Sequence, residues 1–93
     1  MPTIWPVPEI SRFLDIVITM RYREHAPPHF HAAYGGRRAS LAIDPIVVLK
    51  GRLPGRVLGL VVEWASEHQS ELMENWGLAE RKETLRRIPP LEE

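Results

Sequence analysis

His25-Ala26-Pro27-Pro28-His29-Phe30-His31 carries three of the chain's four histidines within seven positions. Imidazole changes charge near neutral pH and is a common metal ligand. Two adjacent prolines restrict the stretch that joins His25 to the His-x-His pair. Such a block fits two chemistries. In a metal-independent ribonuclease, one histidine takes the proton from a ribose 2′-hydroxyl and a second acid protonates the leaving oxygen. Nearby arginines then stabilise the extra negative charge on phosphorus. In a metal site, His29 and His31 ligate from one strand face and His25 folds back from the turn, with Glu24 or Asp44 as helpers. A structural or solvated role competes with both.

The elements that must position these residues are legible in the hydrophobic period. Leu14 to Arg23 is predicted as a first strand, dense in β-branched residues with a period of two. Ile16, Ile18, Met20 and Tyr22 fall on one face; Val17, Thr19, Arg21 and Arg23 fall on the other. Residues 24–28 read as a proline-bearing turn, and His29 to Tyr34 as a second strand. Gly35-Gly36 signals a tight hairpin, because both central positions of such a turn favour positive φ. Arg37 to Ile43 makes a third strand, Asp44-Pro45 a turn, and Ile46 to Lys50 a short fourth strand. The period then changes. Leu58, Val61, Ala65, His68, Leu72 and Trp76 form one stripe of a helix over about residues 54–81, single or kinked. His68 on that stripe reads as a core histidine, and Trp64 and Trp76 as packing residues.

If the turn at 24–28 is tight, Arg23 faces His29 and Arg21 faces His31. If the Gly35-Gly36 turn is tight, Tyr34 faces Arg37 and His31 faces Ser40. Directly opposed residues share a face. One face then gathers Arg21, Arg23, His29, His31, Arg38 and Ser40. The other is apolar, and the helix stripe must cover it. Leu58, Val61, Ala65, Leu72 and Trp76 are therefore expected against Ile16, Ile18, Met20, Phe30 and Leu41. The expected fold is α+β: an antiparallel meander of three to four strands covered on one face by a long C-terminal helix. Residues 8–83 form its single domain, 1–7 an extended N-terminal segment and 84–93 a loosely held C-terminal tail.

Composition bounds the rest. A 93-residue chain with 44% apolar and 26% charged residues is a soluble globular domain. It has no cysteine, so no disulfide and no thiolate chemistry. The N-terminus carries no basic region followed by an apolar run, which predicts a cytoplasmic protein without a membrane span. Net charge is zero but uneven. Residues 1–52 hold seven Lys/Arg and four Asp/Glu; residues 53–93 hold five and eight. The histidines lie in the basic half, and the acidic half can receive a basic partner.

Pro8-Glu9-Ile10-Ser11-Arg12-Phe13, the block His25 to Ala32, Glu63-Trp64-Ala65 with His68, and Glu71-Leu72 with Glu74-Asn75-Trp76 resemble a small prokaryotic family, domain of unknown function 4160. The resemblance spans about residues 8–91. Members of that family are often encoded beside a second small protein, in a toxin–antitoxin-like arrangement. The resemblance therefore implies a cognate small protein from a neighbouring gene as partner, and a toxin role. The chain departs from the family in Met1–Val7, in Glu24 where an aspartate is common, and in Gly59.

The resulting expectation is the toxin side of such a pair, acting on RNA. His29, His31 and Arg21 are the expected catalytic residues, with Arg23, Arg38, Ser40 and His25 holding the substrate. No cofactor and no tightly bound metal are expected, because no carboxylate is firmly placed beside the histidines. Two alternatives stand beside it. One is a non-enzymatic interaction protein that binds the neighbouring gene's product. The other is a metal-binding protein using the histidine cluster. Neither excludes a homo-oligomer.

Overall fold

A computed structural model describes residues 7–92. Within it lie five strands, β1 (Glu9–Phe13), β2 (Ile16–Thr19), β3 (His29–Tyr34), β4 (Arg37–Ala42) and β5 (Val48–Gly51). Two helices follow, α1 (Gly55–Glu67) and α2 (Gln69–Glu80). The sheet is antiparallel with order β1-β2-β3-β4-β5. The α+β class agrees with expectation, but the sheet has one strand more than expected and the helix is split in two. The proposed N-terminal segment 1–7 falls, except for Val7, outside the described residues.

The additional strand is β1. Leu14 and Asp15, placed in the first strand by their sequence, instead form its turn to β2 at φ of 50° and 65°. Phe13 pairs with Ile16 across that turn. The β3–β4 hairpin has the expected register: Gly35 takes φ 58°, Tyr34 pairs with Arg37, and His31 pairs with Ser40. The β2–β3 register differs by two residues. Thr19, not Arg21, pairs with His31, because β2 ends at Thr19 and residues 20–28 form a longer connection. An even shift preserves the faces.

Ile16, Ile18, Met20, Phe30, Ala32, Ala39, Leu41 and Ile43 are buried beneath the helices. From α1 and α2 come Val57, Val61, Trp64, Ala65, Leu72 and Trp76. Leu58 lies only at the margin of this core; Val57 takes the buried place. Trp64 is fully buried, with its ring centroid 5.6 Å from Phe13 and 5.9 Å from Phe30. The helix breaks at His68, where the backbone turns to φ −124°, and not at Gly59. His68 is half-buried rather than a core residue. Its Nδ1 lies 2.5 Å from Glu71 Oε1, and its ring packs 5.6 Å from Trp64. This i,i+3 pair spans the first turn of α2 and supports its start.

Residues 84–92 are anchored, contrary to the loosely held tail expected. Ile88 and Leu91 are buried in the core. Buried Asn75 grips the backbone of Arg86 twice, donating from Nδ2 to the carbonyl at 2.8 Å and accepting from the amide at 2.9 Å. The Trp64 indole donates to the Pro89 carbonyl at 2.8 Å, and the Ile88 amide donates to Ile10 on β1. Arg87 reaches Glu9 at 3.0 Å. Hydrogen bonds from Arg12 and then Arg87 lower the Glu9 carboxyl to about 2.

Asn75→Leu removes both backbone partners of Arg86, a loss of about 1–3 kcal/mol. Trypsin should then cut after Arg86 and Arg87 faster than in the native protein. Unchanged cleavage would deny Asn75 its anchoring part.

Gly51 closes the β4–β5 pairing at φ 84°, and a Cβ there would sit 2.2 Å from the Arg38 carbonyl oxygen. Gly51→Ala is therefore both strained and blocked by backbone. We expect a cost of about 1–3 kcal/mol, read as a melting temperature lower by roughly 5–20 °C in a domain of this size. An unaltered melting curve would contradict this.

Candidate functional site

The face of the sheet away from the core is where the polar residues gather. The period of two in β3 puts His29, His31 and Ala33 there. Thr19 pairs with His31, His31 with Ser40, and Ser40 with Lys50, so these four form a row across four strands. Arg38 pairs with Ala33 on the same face. A groove of about 600 Å³ runs over this surface, lined by Thr19, Arg21, His31, Arg38, Ser40 and Lys50 together with small side chains. Among the described residues, its lining has three cationic residues and no carboxylate.

At the end of β3 the connection from β2 doubles back and brings Glu24 over the histidines. His31 Nε2 lies 2.8 Å from Glu24 Oε1, and His29 Nε2 lies 3.5 Å from the same oxygen. His29 Nδ1 donates to the Pro27 carbonyl at 2.7 Å. The His29 ring stands edge-on to His31 at 5.2 Å and packs against Trp76 at 5.2 Å. Behind this cluster a second cavity, of about 280 Å³, lies between the loop and the end of α2, with Arg21, Arg23, Trp76 and Glu80 among its walls.

The electrostatics follow from partial burial. Burial pushes His31 below its ordinary value; the hydrogen bond to Glu24 opposes this and the nearby Arg21 charge adds to it. Burial pushes Glu24 up, but the hydrogen bond from His31 and the His31 and His29 charges outweigh it and hold the carboxyl below its ordinary value. At neutral pH the couple is an ionised carboxylate beside a neutral imidazole.

Of the expected catalytic residues, His29 and His31 are together, and Arg21 lies past the end of β2, bordering both cavities. Arg38 and Ser40 line the groove with His31. Arg23 does not sit beside His29 in a strand pair; it is in a turn at φ 61° and borders the smaller cavity. His25 is exposed, and the cluster that converges is Glu24, His29 and His31. His29 and His31 do not stand apart as a separate base and acid, because both Nε2 atoms face one carboxylate oxygen. The expectation of no placed carboxylate is thus overturned by Glu24. Thr19, Lys50 and Trp76 were not anticipated at the site. Lys50 was within reach of sequence reasoning, since it sits in the predicted fourth strand two hairpins from His31.

Among the described residues, the fold and site define a small α+β domain with one sheet face packed on helices and the other left open around a histidine–carboxylate cluster. A family model described as domain of unknown function (DUF4160) matches residues 15–77, and the chain belongs to that family. The match takes in β2 to β5, α1 and most of α2, and therefore Glu24, His29 and His31. No curated protein and no solved structure matches the chain. Among the described residues, no helix is long and apolar enough to cross a membrane.

Proposed function

We propose that this chain binds and acts on RNA along the open sheet face, as the toxin side of a two-protein pair. The observation that carries the reading is the groove: Arg21, Arg38 and Lys50 around Thr19, His31 and Ser40, with no acid among the described residues that line it. Cations with interspersed hydroxyls suit a phosphate-bearing chain. A sheet face open to solvent suits an extended single strand better than a compact small molecule. With zero net charge overall, the chain offers no general attraction for nucleic acid, so a cationic groove is where such attraction must come from. The Glu24–His29–His31 cluster stands at one end of the groove as its reactive group. The partner protein rests on the family resemblance alone.

The test is fluorescence anisotropy with a labelled single-stranded RNA over a salt series. Arg38→Glu and Lys50→Glu should each weaken binding at least about tenfold. The slope of log affinity against log salt should become shallower by roughly 0.7 for each phosphate that is no longer neutralised. No binding at low salt, or binding indifferent to both changes, would reject the reading.

One observation favours the interaction-protein alternative. The C-terminal segment covers the β1 edge through the Ile88–Ile10 hydrogen bond. At the opposite edge, Val47, Val48 and Leu49 are each more than 40% exposed. An apolar edge strand invites strand addition by another protein. Tight binding of the neighbouring gene's product, abolished by Val48→Lys and accompanied by no RNA binding, would favour this alternative.

A further inference from the structure

We propose that Glu24, His29 and His31 form a binding site for one divalent first-row transition-metal ion, of the zinc or iron(II) class, with its remaining coordination positions open toward the groove. The inference extends the RNA reading but does not depend on it.

The geometry comes first. One ligand atom from each of the three residues lies within 4.8 Å of the others. Glu24 Oε1 is 2.8 Å from His31 Nε2 and 3.5 Å from His29 Nε2. Metal–ligand bonds of about 2.0–2.2 Å place neighbouring ligand atoms roughly 3 Å apart. Small side-chain rotations, of roughly an ångström or less at the ring nitrogens, bring these atoms around a single ion.

Hydrogen bonding comes second. The Pro27 carbonyl only accepts, so His29 Nδ1 carries a proton, and Nε2, which faces Glu24, is the ring nitrogen left to ligate. The carboxylate is itself an acceptor. His29 Nε2 and Glu24 Oε1 lie 3.5 Å apart, too far for a good hydrogen bond and a span that an ion between them fits. Fixing one imidazole nitrogen on a backbone carbonyl, so that the other ligates, is the outer-shell pattern of metal-binding histidines. An ion would replace the proton shared by Glu24 and His31, and His31 would carry its proton on Nδ1.

Support and selectivity come third. Trp76 backs the His29 ring, and the three side chains are only 11%, 22% and 27% exposed for His29, His31 and Glu24. Two imidazoles and one carboxylate suit zinc, iron, cobalt, nickel or manganese, whereas calcium and magnesium prefer all-oxygen sets. Three protein ligands leave at least one position open, and His31 lines the groove.

The experiment uses the full chain, stripped with a chelator and titrated with Zn²⁺ by calorimetry and with Co²⁺ by visible absorption. We expect one equivalent bound at micromolar affinity or tighter, with ligand-field bands for cobalt. Glu24→Gln, His29→Ala and His31→Ala should each weaken binding by more than about tenfold, since even outer-shell partners are worth 10–100-fold. His25→Ala, in the same motif but exposed, should leave affinity unchanged. Circular dichroism reports whether each variant is folded. Should His29→Ala fail to fold, the near-isosteric Glu24→Gln decides alone. Absence of stoichiometric binding, binding abolished by His25→Ala, or binding that survives Glu24→Gln would overturn the site. No RNA enters the titration, so its failure and the failure of RNA binding are separate results.

Discussion

Trp64→Ala should remove most of the domain's stability. Trp64 is fully buried in α1 between Phe13 on β1 and Phe30 on β3, and its indole holds the Pro89 carbonyl. The substitution removes the largest buried side chain, leaves a cavity, and strands a backbone acceptor of the C-terminal segment. A buried aromatic-to-alanine change costs about 3–5 kcal/mol, against a total stability of about 5–15 kcal/mol for a domain. A 93-residue chain belongs at the low end of that range. Chemical denaturation should show a midpoint collapsed toward zero denaturant. A midpoint reduced only slightly would mean that the helices are not seated on the sheet through this residue.

The dependence of so much on one tryptophan was only partly legible. The stripe from Val61 to Trp76 announces a helical face, but Trp64 lies off its centre, and its partners Phe13 and Pro89 are distant in sequence. β1 escaped detection for a definite reason. A bulge between Glu9 and Ser11 places Ile10 and Ser11 side by side in the interior, so the alternation that marks a strand is interrupted there. Residues 84–92 look like a tail because Pro89-Pro90 and exposed charges surround Ile88 and Leu91. What holds them is Asn75 and Trp64, and no local pattern reports a side chain that caps backbone eleven or twenty-five residues away.

The open face was more legible. Gly35-Gly36 fixed the β3–β4 register, which put His31 beside Ser40. Parity put both on the polar side, and the two-residue difference in the β2–β3 register could not move them to the other. The difference arose because 24–28 was read as the entire turn, whereas the chain leaves the sheet after Thr19. That longer excursion is what carries Glu24 back over His29 and His31. Glu24 was named from the sequence as a helper to a metal site, but its return over both His29 and His31 from an irregular loop has no periodicity to betray it.

The second large effect is chemical. His31 is the one residue that belongs both to the row across the sheet and to the Glu24 cluster. On the proposed RNA reading, its loss would remove the reactive group and leave Arg21, Arg38 and Lys50 in the groove lining. His31→Ala should therefore reduce RNA cleavage about 10²–10⁴-fold and weaken RNA binding far less. Partial exposure of the ring predicts that the variant folds.

The most direct measurement follows labelled RNA over time with purified native protein and with His31→Ala, both confirmed folded. Each is assayed with stoichiometric divalent metal and again after chelation. We predict defined cleavage products with the native protein and metal, and almost none with His31→Ala under the same conditions. RNA left intact by the native protein in every condition, or cut equally by both proteins, would contradict a role for this face in RNA cleavage.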